Sequence, residues 1–194
     1  MQAVHRHLTQ DLVDWAGQLR TVDIAKADMF CPVQHLRSYA AEVFGRLAEL
    51  RLLTGRSRDD FVSGLAELYG DLNALHPFRE FNGRAQRAFI SQLSAQAGWR
   101  VSWRDMSPEA NVAASVASFR GRTEPLRELL DKLVTPLTGP DRQLGRDEPE
   151  APVQTIGDLL DADASFPPEL GKHVPAEPGV PGPAVPSREV DLGR

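Results

Sequence analysis

Apolar residues recur every three or four positions at Leu36, Ala40, Val43, Phe44, Leu47, Leu50 and Leu53, the spacing of one helix face. Thr54-Gly55 predicts the end of that helix, because glycine takes the left-handed cap conformation without a Cβ penalty. Ser57-Arg58-Asp59-Asp60 reads as a variant capping box, the serine hydroxyl accepting an early helix N–H. It opens a second helix whose broad apolar face carries Phe61, Val62, Leu65, Leu68, Tyr69, Leu72 and Leu75. A third helix is predicted from Asn82 or Gly83 to Ala97, stopped by Gly98. Ser107-Pro108-Glu109 supplies an N-cap, a proline at the first position and an acidic first turn. That starts a helix running through Phe119, and Thr123 to Val134 gives another. Arg20 to Met29 differs. It has no sustained apolar face of helical period, and Thr21-Val22-Asp23-Ile24 alternates like a short strand. The expected fold is all-α, a helical core with one small β-hairpin near residues 20–30. There are no internal repeats.

Composition divides the chain near Gly139-Pro140. Ten of the 15 prolines lie from Pro140 onward, and proline fixes φ and removes a backbone donor. Residues 1–138 are therefore expected to form one domain, and 139–194 a Pro-rich, disordered tail. Val153 to Leu160 is the one short apolar patch there, suited to a helical turn or a docking motif. The formal charge of -5 argues against a nucleic-acid-coating role, which needs a basic surface. A single cysteine, Cys31, rules out an internal disulfide and fits a reducing compartment. No apolar run approaches the roughly 20 residues that span a bilayer, and the N-terminus lacks signal-peptide order. A cytoplasmic protein without a membrane partner is expected. His5, His7 and His35 have no partners at metal-ligand spacing, so surface or core roles are expected for them.

One segment concentrates chemistry: His76-Pro77-Phe78-Arg79-Glu80-Phe81-Asn82-Gly83-Arg84-Ala85-Gln86-Arg87. A helix ends at a histidine, a tight loop follows, and a new helix begins at once. A helix N-terminus presents N–H groups and partial positive charge to an anion. Arg84 and Arg87, three residues apart, share a face and can both reach a polyphosphate. Glu80 suits Mg²⁺, which in nucleotide sites takes one or two carboxylates plus phosphate oxygens. His76 can act as a general base, its ordinary pKa being near neutrality. Base, metal and charge stabilisation are the parts an in-line transfer at phosphorus requires.

The order of these residues resembles the Fic-family motif, His-x-Phe-x-Asp/Glu-Gly-Asn-Gly-Arg-x-x-Arg, matching every defining position except the first loop glycine, here Phe81. Asp14 to Ile24 looks like the family's approach to its active-site flap, and Phe30-Cys31-Pro32 like its exit. The resemblance spans about residues 3–135 and is close to bacterial Fic toxins held by a small antitoxin. It implies a protein adenylyltransferase that uses ATP and Mg²⁺. His76 would deprotonate a Tyr, Thr or Ser hydroxyl of a target protein, which attacks the α-phosphate. Glu80 would hold Mg²⁺. Asn82 and the backbone around Gly83 would steady the α- and β-phosphates, Arg84 would contact the distal ones, and Arg87 would support the site. The flap, with Thr21, Val22, Asp23, Ile24, Met29 and Phe30, would dock the target by strand addition. Phe30 or Met29 would clamp it.

Phe81 leaves three outcomes open, since glycine there would take φ > 0 freely and let backbone approach phosphate. Its ring points outward and AMP transfer is retained. Or it re-orients the nucleotide towards phosphate transfer, as in the related death-on-curing toxin. Or it partly blocks the pyrophosphate pocket and slows turnover, with a catalytically silent Fic-like binding module as the alternative to any transfer. Many Fic proteins carry an inhibitory glutamate followed by Gly or Asn. No glutamate here is followed by either, so the resemblance implies inhibition by a separate small helical antitoxin, or none.

Overall fold

The structure, a computed structural model, describes residues 1–26 and 29–137. The expected tail, 139–194, with its Val153 to Leu160 patch, lies outside the described residues. The chain order is α1 (Gln2–Thr9), α2 (Leu36–Glu49), α3 (Arg58–Leu75), α4 (Asn82–Ala97), β1 (Trp99–Val101), α5 (Pro108–Phe119), α6 (Glu124–Leu133) and β2 (Val134–Pro136). Among the described residues the all-α class holds, with one small sheet.

α3 is the central helix. Phe61, Val62, Leu65, Ala66, Leu68, Tyr69, Leu72 and Leu75 are all buried on it, more than one amphipathic stripe could hold, as in a helix covered on several sides. α2, α4, α5 and α6 all pack on it. Its start is fixed by Ser57, whose hydroxyl accepts from the Asp60 N–H. α5 starts the same way, Ser107 accepting from the Ala110 N–H. Gly70 lets α5 come close, since a Cβ there would collide with Ser118. Arg58 ties the first turn of α3 to the end of α6, donating to the Asp131 carboxylate at 2.6 Å and to the Val134 carbonyl at 3.1 Å. No helix among the described residues is long and apolar enough to cross a membrane.

Three features depart from the periodicity. α2 stops at Glu49, not Leu53, because Arg51, Leu52 and Leu53 turn left-handed (φ 51°, 54° and 59°). That reversal turns Leu53 inward to 1% exposure and leaves Leu52 at 40%. Second, the hairpin expected near 20–30 is, among the described residues, a single antiparallel bridge, Ala25 to Met29, with the Phe30 N–H on the Ile24 carbonyl at 3.2 Å. Third, the sheet lies elsewhere: β1 and β2 pair antiparallel, Val101 opposite Val134 and Trp99 opposite Pro136. α1 is announced by no apolar period. Its buried residues are polar, His5 and Thr9.

Candidate active site

α3 ends at His76, which caps it in the left-handed conformation (φ 40°, ψ 63°) with its N–H on the Leu72 carbonyl. Pro77 and Phe78 carry the chain inward, Phe78 being fully buried. Arg79 and Glu80 return to the surface. Phe81, again left-handed (φ 61°, ψ 17°), is the N-cap of α4. The helical ladder begins with the Ala85 N–H on the Phe81 carbonyl at 3.0 Å. The N–H groups of Asn82, Gly83 and Arg84 thus belong to the open first turn, where the helix presents positive potential.

Hydrogen bonds hold the loop from inside. Asn82, 4% exposed, accepts from the Phe78 N–H at 2.9 Å and donates to the Phe78 carbonyl at 2.7 Å. Its amide is therefore a clasp on the loop. Gln86, 1% exposed, donates to the Leu72 carbonyl at 2.8 Å, joining α4 to the end of α3. A Cβ on Gly83 would stand 3.3 Å from a guanidinium nitrogen of Arg87, so this glycine leaves room for the second arginine. The Arg84 guanidinium lies over the Phe81 ring, 4.9 Å from its centroid, a cation–π arrangement. The Phe81 ring in turn stacks on Trp15 at 6.2 Å and 24°.

The flap folds over the histidine. The Phe30 ring lies flat on the His76 imidazole, centroids 3.8 Å apart and planes at 6°. Met29 is 59% exposed and Val22 45%, so Phe30 is the flap side chain that meets His76. Thr21 and Asp23 are exposed and Ile24 half-buried. The Asp23 carboxylate accepts from the Val33 N–H at 2.7 Å, fixing the flap's exit. His76 Nδ1 is buried and closes no hydrogen bond of normal geometry. Burial, reinforced by the charge of Lys26, lowers the imidazole to about 3; the Asn73 backbone opposes the shift and Arg20 adds to it. Burial disfavours the charged form of a base, so this ring stays neutral.

Two residues that the motif does not contain shape the site. Arg20, 2% exposed, is a hub. It donates from Nε to the His76 carbonyl at 2.9 Å, to the Val22 carbonyl at 2.8 Å and to the Cys31 carbonyl. Its own N–H reaches the Pro77 carbonyl. One planar guanidinium thus joins both arms of the flap to the end of α3, as the fork of arginine allows. His5 holds the other side of the loop through the Glu80 carbonyl. Neither has a signal of its own, since a lone Arg or His before a motif has no period or spacing to mark it, and Arg20 is marked only as part of the Asp14 to Ile24 stretch. Among the described residues no group of three or more His, Cys, Asp or Glu gathers as a metal cage. Glu80 presents a single exposed carboxylate beside the helix start, which fits an ion shared with phosphate oxygens and water.

The sequence profile of the Fic/DOC family matches residues 1–94. A Salmonella typhimurium protein named "Probable protein adenylyltransferase Fic" is 38% identical over 134 residues, 69% of this chain and 67% of that one. The chain belongs to the Fic/DOC family. The protein adenylyltransferase VbhT of Bartonella schoenbuchensis is 35% identical over 139 residues, 71% of this Fic chain and 29% of VbhT. Among solved structures, the N-terminal Fic domain of a VirB-translocated effector from Bartonella quintana, with bound ADP, superposes with a TM-score of 0.67. It is 25% identical, with 70% of this chain and 71% of that one covered. The fold and the family name of the chemistry therefore agree with the motif at His76 to Arg87.

Proposed function

We propose that this Fic protein transfers AMP from ATP to a hydroxyl side chain of a target protein. The observation that supports it best is that His76 caps the end of α3 and the loop after it leads at once into the open first turn of α4, with Glu80, Arg84 and Arg87 on the same segment. The relatives' name, protein adenylyltransferase, and the ADP in a structural neighbour point the same way.

The chemistry divides among the residues as follows. The neutral imidazole of His76 accepts the proton of the target hydroxyl. The hydroxyl oxygen attacks the α-phosphorus, the bond to the pyrophosphate oxygen breaks, and pyrophosphate leaves. The first-turn N–H groups of α4 and the two arginines bind the phosphate oxygens where charge grows, the usual dominant contribution in transfer at phosphorus. Glu80 would hold Mg²⁺, which would supply further charge neutralisation there. Asn82 acts by shape, clasping the loop around Phe78. The flap, 21–30, aligns the target's backbone, with Phe30 placed where the incoming side chain must pass. We assign this catalytic unit to residues 1–138, in the cytoplasm, with inhibition either supplied by a separate small helical antitoxin or absent.

The ring of Phe81 lies on Trp15 beneath Arg84, which favours AMP transfer over a blocked site. Label transfer tests this. With Mg²⁺ and a cell lysate, ATP labelled at the α-phosphate should label protein, and His76→Ala should abolish it. Label from the γ-position alone would make the chain a kinase. No label from either, with folded protein free of partner, would leave a binding module.

A further inference from the structure

His5 lies on α1, outside the motif, and is completely buried. Its ring stacks on Phe78 at 3.9 Å and 19°, and on Trp15 at 5.8 Å and 27°. Both nitrogens are engaged. The Gly17 N–H donates to Nδ1 at 2.9 Å, so Nδ1 is an acceptor and the proton of the neutral ring sits on Nε2. The Thr9 hydroxyl, 3.4 Å from Nδ1, donates to the His5 carbonyl at 2.7 Å and does not contest that choice. Nε2, 3.1 Å from the Glu80 carbonyl oxygen, therefore donates to it.

That carbonyl belongs to the peptide joining Glu80 to Phe81, and the plane of this peptide sets φ of Phe81. Phe81 holds +61°, a left-handed conformation that strains a non-glycine residue. Glycine would adopt it freely. Here the loop position is held from outside, by a side chain fixed on three sides. We propose that His5 is a positioning residue: its Nε2–H holds the Glu80–Phe81 peptide. It thereby fixes both the Glu80 carboxylate and the Phe81 ring that carries Arg84. The effect on nucleotide handling rests on the adenylyltransferase reading above, but the effect on the peptide does not.

Two conservative variants of the full chain separate positioning from mere packing. Asparagine places its amide oxygen near the Nδ1 position, keeping the Gly17 bond while falling short of Glu80. Glutamine places its amide nitrogen near the Nε2 position and restores the donor. In ¹⁵N NMR the Phe81 amide, the other end of the held peptide, should move in His5→Asn and return towards wild type in His5→Gln. Calorimetry with Mg²⁺ and ADP should show about tenfold weaker binding for His5→Asn, the loss of roughly one hydrogen bond. His5→Gln should recover most of it. KM for ATP in label transfer should follow the binding constant while kcat changes less. If both variants leave the Phe81 amide and ADP binding unchanged, His5 positions nothing. If both weaken binding only in step with a loss of Tm, His5 is packing alone. A wild-type chain that neither binds ADP nor transfers label would instead remove the adenylyltransferase reading. The Phe81 amide would then still decide for or against the role of His5.

Discussion

The Phe30 ring lies flat on His76, and burial is the largest cause of the imidazole's low pKa. A base at about 3 is neutral at working pH but poorly matched to proton abstraction, which favours a pKa near ambient pH. Removing the cover should hydrate the ring and ease its charging. In Phe30→Ala the His76 pKa, followed by NMR, should climb towards the ordinary histidine value of about 6.5, and the acid limb of the pH–rate profile should move up with it. A pKa that stays low would mean that Lys26 and Arg20, not the flap ring, suppress the charge. Phe81 is the second decisive side chain. Because its ring stacks away on Trp15, Phe81→Gly should not raise AMP transfer by more than about twofold. A gain of tenfold, about 1.4 kcal/mol of barrier, would show that the ring obstructs the nucleotide.

At the scale of elements, the caps were the most legible signals. Ser57 and Ser107 stand where their hydroxyls meet the third N–H of a helix, a local geometry that four residues of sequence can encode. Ser57→Ala should accordingly cost about 1 kcal/mol in urea unfolding, and a cost near zero would mean that Arg58 and the packing of α3 fix that end without it. The motif residues were legible too, since His76 to Arg87 is continuous in the chain. What stayed hidden depends on distant partners. The left-handed turn at 51–53 keeps the apolar spacing of a helix, and only the core that receives Leu53 reveals it. β1 and β2 are three residues each, too short to show alternation, and pair across two intervening helices. α1 turns His5 and Thr9 inward, so its buried face reads as polar. Arg20 reaches four carbonyls on three segments, a role fixed by tertiary placement alone.

The molecule as a whole buries two neutral imidazoles beside one loop, and this gives its stability a pH dependence. Burial lowers the pKa of both His5 and His76, His76 to about 3. In the unfolded chain each would titrate near 6.5. As pH falls through 6.5 the unfolded state takes up protons that the native state refuses, so stability falls with pH. The contribution is complete above the unfolded value and is lost progressively down to the native one. Each histidine can contribute a slope of at most about 1.4 kcal/mol per pH unit. Between pH 7 and 5 most carboxylates remain ionised, so urea unfolding in that window should isolate the histidines. Stability should decline steadily across it, and His76→Gln and His5→Gln should each flatten part of the decline, because glutamine has no proton to gain. A flat profile for the wild type would mean that the two rings charge in place, and that the cover over the loop is looser than the contacts with Phe30 and Phe78 describe.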